Sequence, residues 1–410
     1  MPGISRVFYG WRIVAAICLI MAITSGLMFY NLSVLLNAFV EERGFPVALT
    51  SAATAMFFVS GGVAGIVVGR LVDCIDARII ILSGTALGAL CLFSVGYLYE
   101  TWHLFLFHIL LGFSHGSIGL VPLTTLVTRW FNAKRSLALS IASTGLSIGG
   151  VLVTPFVALS IERGGLHATG PLMTAVLLLG IVPVTLFVLR PSPAFMGLQP
   201  DGGVVAASPE AKPFSGSIRY AEARRSRFFL AVSVAYLFLL GTQVAAIAHL
   251  YRLANLRDGA GTAAAALAVI AAASIIGRLC GGWILLRVSV RTFALQMMAL
   301  QGIALLLLAF AQGRMAILAA VALFGVTVGN SLMMHPLLLA EKFGTREYGR
   351  IYSVSQFIAM VGYAGGPFIV GAVYGWSGGY EVAFAVCGIL TFVGFAILLY
   401  GSNRSGEPNG

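Results

Sequence analysis

The chain has 410 residues, of which 59% are hydrophobic and only 10% are charged, a balance that excludes an ordinary soluble domain and indicates a polytopic membrane protein. Its formal net charge of +11 would suggest a nucleic-acid partner in a soluble protein, but in a membrane protein it reports orientation in the bilayer. The five cysteines stand singly in apolar runs, without the spacing of a disulfide framework, a zinc site or a redox motif.

Twelve apolar runs follow one another along the chain, each long enough to cross a bilayer as a helix. They span residues 11–39, 47–71, 79–99, 104–130, 136–160, 170–190, 228–253, 262–286, 292–312, 315–340, 349–373 and 381–401. The first run is too long for a signal-peptide core and lacks a cleavage site, so we expect it to be retained. The sequence predicts an all-α membrane protein with twelve transmembrane helices.

Positive charge is distributed unevenly between the two sides of this predicted bundle. Only five of the 25 Lys and Arg residues fall in the odd-numbered loops, whereas nearly all the others fall in the even-numbered loops or at the termini. Because basic residues accumulate on the cytoplasmic side, both termini are predicted to be cytoplasmic. The short loops favour a prokaryotic protein. The expected location is therefore the plasma membrane, which in a bacterium is the inner membrane.

One polar stretch, residues 191–227, divides the chain into two halves. It is rich in Pro, Gly, Ser and charge, and it ends in a basic cluster that we interpret as an orientation signal attracted to anionic lipid headgroups. We therefore predict an N-terminal six-helix bundle over 1–190, a cytoplasmic linker over 191–227 and a C-terminal six-helix bundle over 228–410.

An internal repeat supports this division. The segment 69–78 after the second run matches 282–291 after the eighth run at an offset of 213 residues, and residues 130–131 align with 343–344 at the same offset. Two parallel copies of six helices are an arrangement found in transporters.

Several stretches resemble known transporter families. The pattern Gly69-x-Leu71-x-Asp73-x-x-x-x-Arg78 resembles the loop signature of the major facilitator superfamily, although Cys74 stands where that family usually has Arg and Asp76 where it usually has Gly. The stretches that resemble the monocarboxylate transporters and the related oxalate-formate exchangers are Tyr9-Gly10-Trp11, Arg129-Trp130-Phe131-x-x-Lys134-Arg135-x-Leu137-Ala138, Arg190-Pro191-Ser192-Pro193 and Gly197-Leu198-Gln199-Pro200-Asp201-Gly202. This resemblance implies the major facilitator fold and proton-coupled transport of a short monocarboxylate by alternating access.

Arg278 is the residue on which the functional interpretation depends. It is the only ionisable group, apart from Cys280, in the run from Thr262 to Leu286. A guanidinium keeps its proton, so its burial in a membrane is costly unless an anion or water meets it. None of the 14 acidic residues falls deep in a helix, and we therefore predict that Arg278 holds a substrate carboxylate. The structural alternatives are a guanidinium held by helix carbonyls or one that snorkels to the interface.

The resemblance also implies a substrate-binding Arg in this helix, but Ser274 stands where the monocarboxylate family often has Asp. A single buried cation favours a monoanion, because a dianion such as oxalate would want a second cation in the eleventh helix, which has only Arg350 at its end. The other substrate-binding candidates are polar residues at middle depth: Tyr30, Asn31, Gln243, Ser274, Asn330 and Tyr363. Interhelical hydrogen bonding is the alternative role for each of them.

Two of the deep polar residues are histidines, and both are considered as ligand candidates. His115 lies near the middle of the fourth helix and is the predicted proton-coupling residue, because the charge of an imidazole changes near neutral pH. A neutral imidazole bonded across helices is the alternative. His335 is the weaker candidate, since Pro336 beside it distorts the helix and frees a carbonyl for His335 to bond.

Charged residues near the cytoplasmic helix ends form a candidate gate. We interpret Asp73 with Arg78, and Asp76 nearby, as a gate and helix-end clamp, with Glu341 and Arg346 in the corresponding place of the second half. Such ion pairs can break and re-form as the two halves move. Surface pairs that contribute little are the alternative.

The function favoured by these predictions is secondary active symport of a lactate-like or pyruvate-like anion with a proton, in the lipid bilayer and without nucleic acid, cofactor, metal or an obligatory protein partner. An anion exchanger of the oxalate/formate type and a non-transporting anion sensor with the same fold are alternatives. A membrane enzyme is disfavoured, since no deep catalytic set, metal cluster or nucleotide-binding loop can be assembled.

Overall fold

The structure is a computed structural model that describes residues 8–202 and 218–403. Every regular element in this described part is helical. The α-helices are α1 (Gly10–Thr24), α2 (Asn31–Arg43), α3 (Val47–Cys74), α4 (Ala77–Ser94), α5 (Thr101–Ile118), α6 (Leu120–Trp130), α7 (Arg135–Ile148), α8 (Thr154–Phe187), α9 (Tyr220–Ala223), α10 (Arg227–Asp258), α11 (Ala260–Ile284), α12 (Val290–Phe310), α13 (Gly313–Phe343), α14 (Tyr348–Ser377) and α15 (Tyr380–Asn403).

Within the described residues, 11 helical stretches are long and apolar enough to span a membrane. One of them, Arg135–Phe187, holds 53 residues, far more than the roughly 20 that one crossing needs. It breaks inside α8 at Gly165, where φ is 68° and ψ is −179°, neither of which is helical. Glycine adopts a positive φ at little energetic cost. This stretch therefore supplies the fifth and sixth of the predicted helices, and the prediction of an all-α fold with twelve apolar helices is confirmed.

Two crossings of the first half contain a π-helical turn. One turn, Ser25–Phe29, joins α1 to α2, and the other, Gly149–Val153, joins α7 to α8. The two turns touch, because a β-carbon placed on Gly26 would lie 2.7 Å from the carbonyl oxygen of Gly149. Single π-helical turns inside α-helices are frequent at functional sites. Tyr30, one of the substrate-binding candidates, directly follows the first of these turns.

The described chain divides into two compact units. The first unit holds the residues up to 202 together with Phe343–Arg350, and the second holds Ile218–Lys342 and the residues from Ile351 onward. Residues 203–217 of the predicted linker lie outside the described part. The division differs from a simple split at the linker, since the segment that precedes and begins α14 belongs with the first unit.

Glycine contacts repeat at the same offset in both units. Gly112 and Gly116 of α5 contact α3, and their mates 213 residues later, Gly325 and Gly329 of α13, contact α11. The mate of Gly65 at this offset is Arg278. The second unit thus has a charged side chain at a position where the first unit has none.

Candidate functional site around the buried arginine

Arg278 lies inside the second unit with only 1% of its surface exposed. Its Nε donates a hydrogen bond to the carbonyl oxygen of Gly329 in α13, at 2.8 Å. Burial excludes snorkelling to the interface, whereas the helix-carbonyl contact that we considered as an alternative is present for one N–H of the guanidinium. The side chain is therefore held at a fixed depth within α11.

Glycines allow α11 and α13 to approach closely enough for this bond. A β-carbon on Gly277 would lie 2.8 Å from both the Cα atom and the carbonyl oxygen of Val326, and one on Gly329 would collide with the carbonyl oxygen of Ser274. Small residues spaced four apart are the usual means by which membrane helices make such contacts. The position of Arg278 thus depends on the close approach of the two helices, which Gly277 and Gly329 permit because they have no side chain.

Asn330 makes the reciprocal contact from α13 to α11. Its Nδ2 donates to the carbonyl oxygens of Gly277 and Val326, at 2.9 Å each, and its Oδ1 lies against Gly281. Both amide hydrogens are engaged in holding helices together, which is the alternative role that we considered for this residue. A contact between Asn330 and a substrate stays a prediction.

Three further candidates lie in the second unit. Ser274 is one turn before Arg278 in α11 and is 3% exposed, and Tyr363 in α14 is 9% exposed. Gln243 in α10 is also 3% exposed, and its Oε1 has no hydrogen-bond partner among the residues that the structure describes. Gln243 is therefore a buried polar side chain whose acceptor is not used by the fold.

The two candidates in the first unit differ sharply in their surroundings. Asn31 is fully buried, and its Nδ2 donates to the carbonyl oxygen of Leu27 at 3.2 Å and contacts Sδ of Met173 at 3.3 Å. Tyr30 is 38% exposed and packs against Gly150, beside the two π-helical turns. The bonds of Asn31 favour an interhelical role, while a contact between Tyr30 and a substrate stays a prediction.

His115 is surrounded by aromatic rings in the first unit. Its ring centroid lies 5.2 Å from that of Phe57 and 6.4 Å from that of Phe29. Within the described part of the chain, its buried Nδ1 has no hydrogen-bond partner. The interhelical hydrogen bond that we considered for His115 is therefore not formed at this nitrogen, and ring packing holds the side chain.

His335 belongs to a buried polar network that the sequence did not reveal. Its Nε2 lies 2.7 Å from Oγ of Ser355, which in turn accepts a hydrogen bond from Ser233 at 2.8 Å. The imidazole stacks on the ring of Tyr236 at 4.3 Å. We expected His335 to bond a carbonyl freed by Pro336, but its partner is a hydroxyl on another helix. This contact depends on how three helices pack together, and the sequence alone does not show their packing.

The candidate gate residues do not pair as predicted. Asp73 accepts hydrogen bonds from the main-chain N–H groups of Gly349 and Arg350, at 3.3 and 3.1 Å, and lies 3.6 Å from Arg129. Main-chain N–H groups at the beginning of a helix are good partners for a carboxylate, and these two open α14. Asp73 therefore joins α3 to the segment Phe343–Arg350 of its own unit.

Arg78 pairs with Asp76 instead of with Asp73. The distance from Arg78 Nη2 to Asp76 Oδ2 is 2.6 Å, and Asp76 also caps α4 by accepting from the main-chain N–H of Arg78 at 2.9 Å. Partial burial raises the pKa of Asp76, but these hydrogen bonds outweigh it and hold the pKa below its ordinary value. Of the corresponding candidates, Glu341 belongs to the second unit and Arg346 to the first, and their role in a gate stays a prediction.

The stretches with a resemblance to monocarboxylate transporters meet at one end of the first unit. Nε1 of Trp130 donates to the carbonyl oxygen of Arg190 at 3.1 Å, and the hydroxyl of Tyr9 donates to that of Val188 at 2.9 Å. Asp201 accepts from three successive main-chain N–H groups, those of residues 132–134, at 2.7 to 3.2 Å. These motif residues fasten the beginning of the linker to the helix ends.

No group of three side chains suited to hold a metal ion gathers in the part of the chain that the structure describes. The polar side chains in this part of α11 and α13 are the guanidinium of Arg278, the amide of Asn330, which bonds Gly277, and the hydroxyl of Ser274, one turn before Arg278. Such a set can bind an organic anion through charge-assisted hydrogen bonds.

The profile of the Major Facilitator Superfamily matches residues 18–367, and the chain belongs to this superfamily of transporters. An MFS-type transporter of Gibberella moniliformis is 28% identical over 324 residues, covering 77% of this chain and 73% of the relative. The uncharacterised MFS-type transporter YcxA of Bacillus subtilis is 22% identical over 375 residues, covering 88% and 86%.

Two solved structures share the fold. FucP, the E. coli fucose:proton symporter, matches in its outward conformation with a TM-score of 0.73 at 17% identity, covering 95% of this chain and 98% of FucP. The human organic anion transporter MFSD10 matches with a TM-score of 0.71 at 16% identity, covering 95% and 99%. At this level of identity the likeness concerns the fold alone.

Proposed function

We propose that this transporter carries a short monocarboxylate of the lactate and pyruvate class together with a proton, by alternating access across a bacterial inner membrane. The observation that carries the proposal is the burial of Arg278, which is 1% exposed in an apolar membrane-spanning helix. A charge held at that depth is expensive, and transporters keep such charges for their substrates.

The acidic residues of the chain support an anionic cargo. Those in the described part lie near helix ends, beside the break at Gly165 or in loops, so none is at the depth of Arg278. The carbonyl of Gly329 satisfies one N–H of the guanidinium but does not cancel its charge. A substrate carboxylate would bind this guanidinium through a charge-assisted contact.

The number of buried cations supports a monoanion. In α14 the only basic residue is Arg350, which is at the beginning of the helix, next to the carboxylate of Asp73. A second carboxylate would lose its hydration without meeting a second positive charge. For this reason an exchanger for dicarboxylates such as oxalate is the alternative and not the first choice.

The proton is assigned to His115. Ser274 stands where the monocarboxylate family often has an acid, and His115 is a deep titratable side chain whose Nδ1 is not used by a hydrogen bond in the described part. The E. coli fucose:proton symporter demonstrates that this fold supports proton symport. Gln243 and Ser274 are proposed as further substrate-binding residues of the second unit, and Tyr30 as one of the first unit.

The gate is proposed to depend on Asp73. Its contacts with Gly349 and Arg350 join α3 to the beginning of α14, and the loss of these two hydrogen bonds would release one element from the other. The pair of Asp76 and Arg78 fixes the following turn. Glu341 and Arg346 keep their proposed role as charged residues of the gate.

The experiment that tests the proposal is uptake of labelled lactate into proteoliposomes with an inward proton gradient. We expect Arg278→Ala and Arg278→Lys to reduce uptake by a factor of ten or more, because about 1.5 to 3 kcal/mol of charge-assisted binding is lost. Arg287→Ala is the matched control, since Arg287 is exposed just after α11 and packs on Trp283. Near-normal uptake by Arg278→Ala would end the proposal.

A further inference from the structure

We infer that Gln243 recognises the substituent on carbon 2 of the substrate, so that the transporter selects 2-hydroxy acids over acids of the same size without a hydroxyl group. The inference rests on the proposed function, because it needs a carboxylate bound at Arg278. It is based on the depth, direction and hydrogen bonding of three side chains in the second unit.

The depth of Gln243 follows from the helix hairpin that α10 and α11 form. The two helices are joined by the single residue Gly259, and Ala246 and Leu250 of α10 belong to the same buried apolar cluster as Ala266 and Ile270 of α11. Residues equally distant from the turn in such a hairpin lie at the same height. Gln243 is 16 residues before Gly259, and Ser274 is 15 residues after it, so these two residues share a level about 24 Å from the turn.

The direction of the side chains brings Gln243 towards Arg278. Each Cα–Cβ bond in an α-helix tilts towards the N-terminus of its own helix. Because α10 and α11 are antiparallel, Gln243 leans towards the level of Arg278, and Arg278 leans towards the level of Ser274. The levels of Gln243 and Arg278 differ by about 5 Å, and the tilt of each side chain reduces this difference in height.

No bond joins the amide to the guanidinium, since Oε1 of Gln243 has no hydrogen-bond partner in the described part of the chain. The residue is nevertheless 97% buried, as its 3% exposure shows. A buried acceptor that remains unsatisfied destabilises the protein unless a ligand supplies the donor. A 2-hydroxy acid carries its hydroxyl group on the carbon next to the carboxyl carbon. With the carboxylate bound at Arg278, this hydroxyl would lie between Arg278 and Gln243.

Asn330 does not serve this purpose, although its Oδ1 also lacks a partner among the described residues. Its Nδ2 is bonded to Gly277 and Val326, and its Oδ1 lies against Gly281, so the amide is used to hold α11 and α13 together. Of the two buried amides, Gln243 is therefore the one that we assign to the ligand.

The test measures inhibition of labelled lactate binding by lactate, propionate and pyruvate, using purified protein and the variants Gln243→Met and Gln243→Leu. For the unaltered protein we expect lactate to bind more tightly than propionate by roughly tenfold, the usual effect of one hydrogen bond to a buried acceptor. In both variants the two affinities should become nearly equal through weaker lactate binding. Unchanged propionate binding is the internal control for an intact site.

Two results would overturn the inference. One is a ratio of lactate to propionate affinity that Gln243→Met leaves unchanged. The other is an equal loss of pyruvate and lactate affinity, because a keto group offers no donor to Oε1. If the unaltered protein binds none of the three acids, or if Arg278→Ala binds propionate as well as the unaltered protein does, the proposed function itself has failed and not this inference alone.

Discussion

Arg278 is both a contact between helices and the proposed anion-binding residue, and the two roles respond differently to substitution. Removal of the side chain leaves the carbonyl of Gly329 without its donor, which costs about 1 to 3 kcal/mol when the group is buried. Lysine keeps a positive charge but loses the planar fork that binds a carboxylate at two points. Arg278→Lys is therefore the variant in which anion recognition is lost with the least damage to folding.

Competition by dianions tests the charge of this site. We expect lactate to displace labelled lactate at concentrations at least tenfold lower than oxalate does, because a second carboxylate would be desolvated next to neutral groups. The measurement is a pair of inhibition curves at one pH and one ionic strength, with formate as the small monoanion for comparison. Stronger displacement by oxalate would favour the exchanger function over symport.

Replacement of His115 tests the coupling to protons. Gln or Asn at this position should leave exchange of substrate for substrate largely intact and should remove accumulation driven by a pH gradient, since an amide does not titrate. His103→Gln is the matched control, because His103 lies in the first turn of the same helix and forms a capping box with Glu100. If both His115 variants still accumulate substrate after a pH step, the ring is a packing residue and another group carries the proton.

At the scale of helices, the contact between α11 and α13 leaves very little room for an added methyl group. A methyl group on Gly281 would collide with the side-chain amide of Asn330, whereas one on Gly261 in the same helix would meet nothing within 4 Å. We expect Gly281→Ala to lower the thermal unfolding temperature in detergent by several degrees, at a cost of about 1 to 3 kcal/mol. Gly261→Ala should be neutral or slightly stabilising, by up to about 1 kcal/mol. Equal stability of the two variants would contradict the close contact.

The cap of α4 has a pH dependence whose sign can be derived. The pKa of Asp76 is held below its ordinary value, so its contribution to stability is present above the unfolded-state pKa of about 3.9 and is lost as the pH falls through the folded-state pKa. We expect Asp76→Ala to cost about 1 kcal/mol at pH 7. The difference from the unaltered protein in thermal unfolding should shrink only below about pH 4. A difference that stays constant to pH 3 would indicate that the ionised carboxylate is not what stabilises the cap.

Elements of this protein were predictable to different degrees, for physical reasons. A bilayer imposes a minimum apolar length, so the helices and the break near Gly165 could be read as separate runs from hydropathy alone. Arg278 could be identified for the same reason, because it is the only charged residue in an apolar run long enough to cross the bilayer. The partner of His335, and the contacts of Asp73 with Gly349 and Arg350, depend on which faces of distant helices meet, and hydropathy carries no information on that.

At the scale of the whole molecule, the unequal distribution of charge between loops has a consequence that can be measured. Because the basic residues gather in the even-numbered loops, the end of α3 should face the cytoplasm. Cys74 lies at that end and is exposed, so it is a natural probe of sidedness. Cys280 is exposed too, but it lies within the membrane-spanning part of α11.

We therefore predict that a membrane-impermeant maleimide labels Cys74 of a Cys280→Ser variant in inside-out vesicles and not in right-side-out vesicles. The thiol ionises only in water, so exposure to the aqueous phase on one side determines the outcome. A second variant, with Cys74→Ser and Thr101→Cys, moves the thiol to the exposed beginning of α5 and should reverse the pattern. Labelling of Cys74 from the outside would show that charge does not set the orientation of this chain, and the assignment of both termini to the cytoplasm would fall with it.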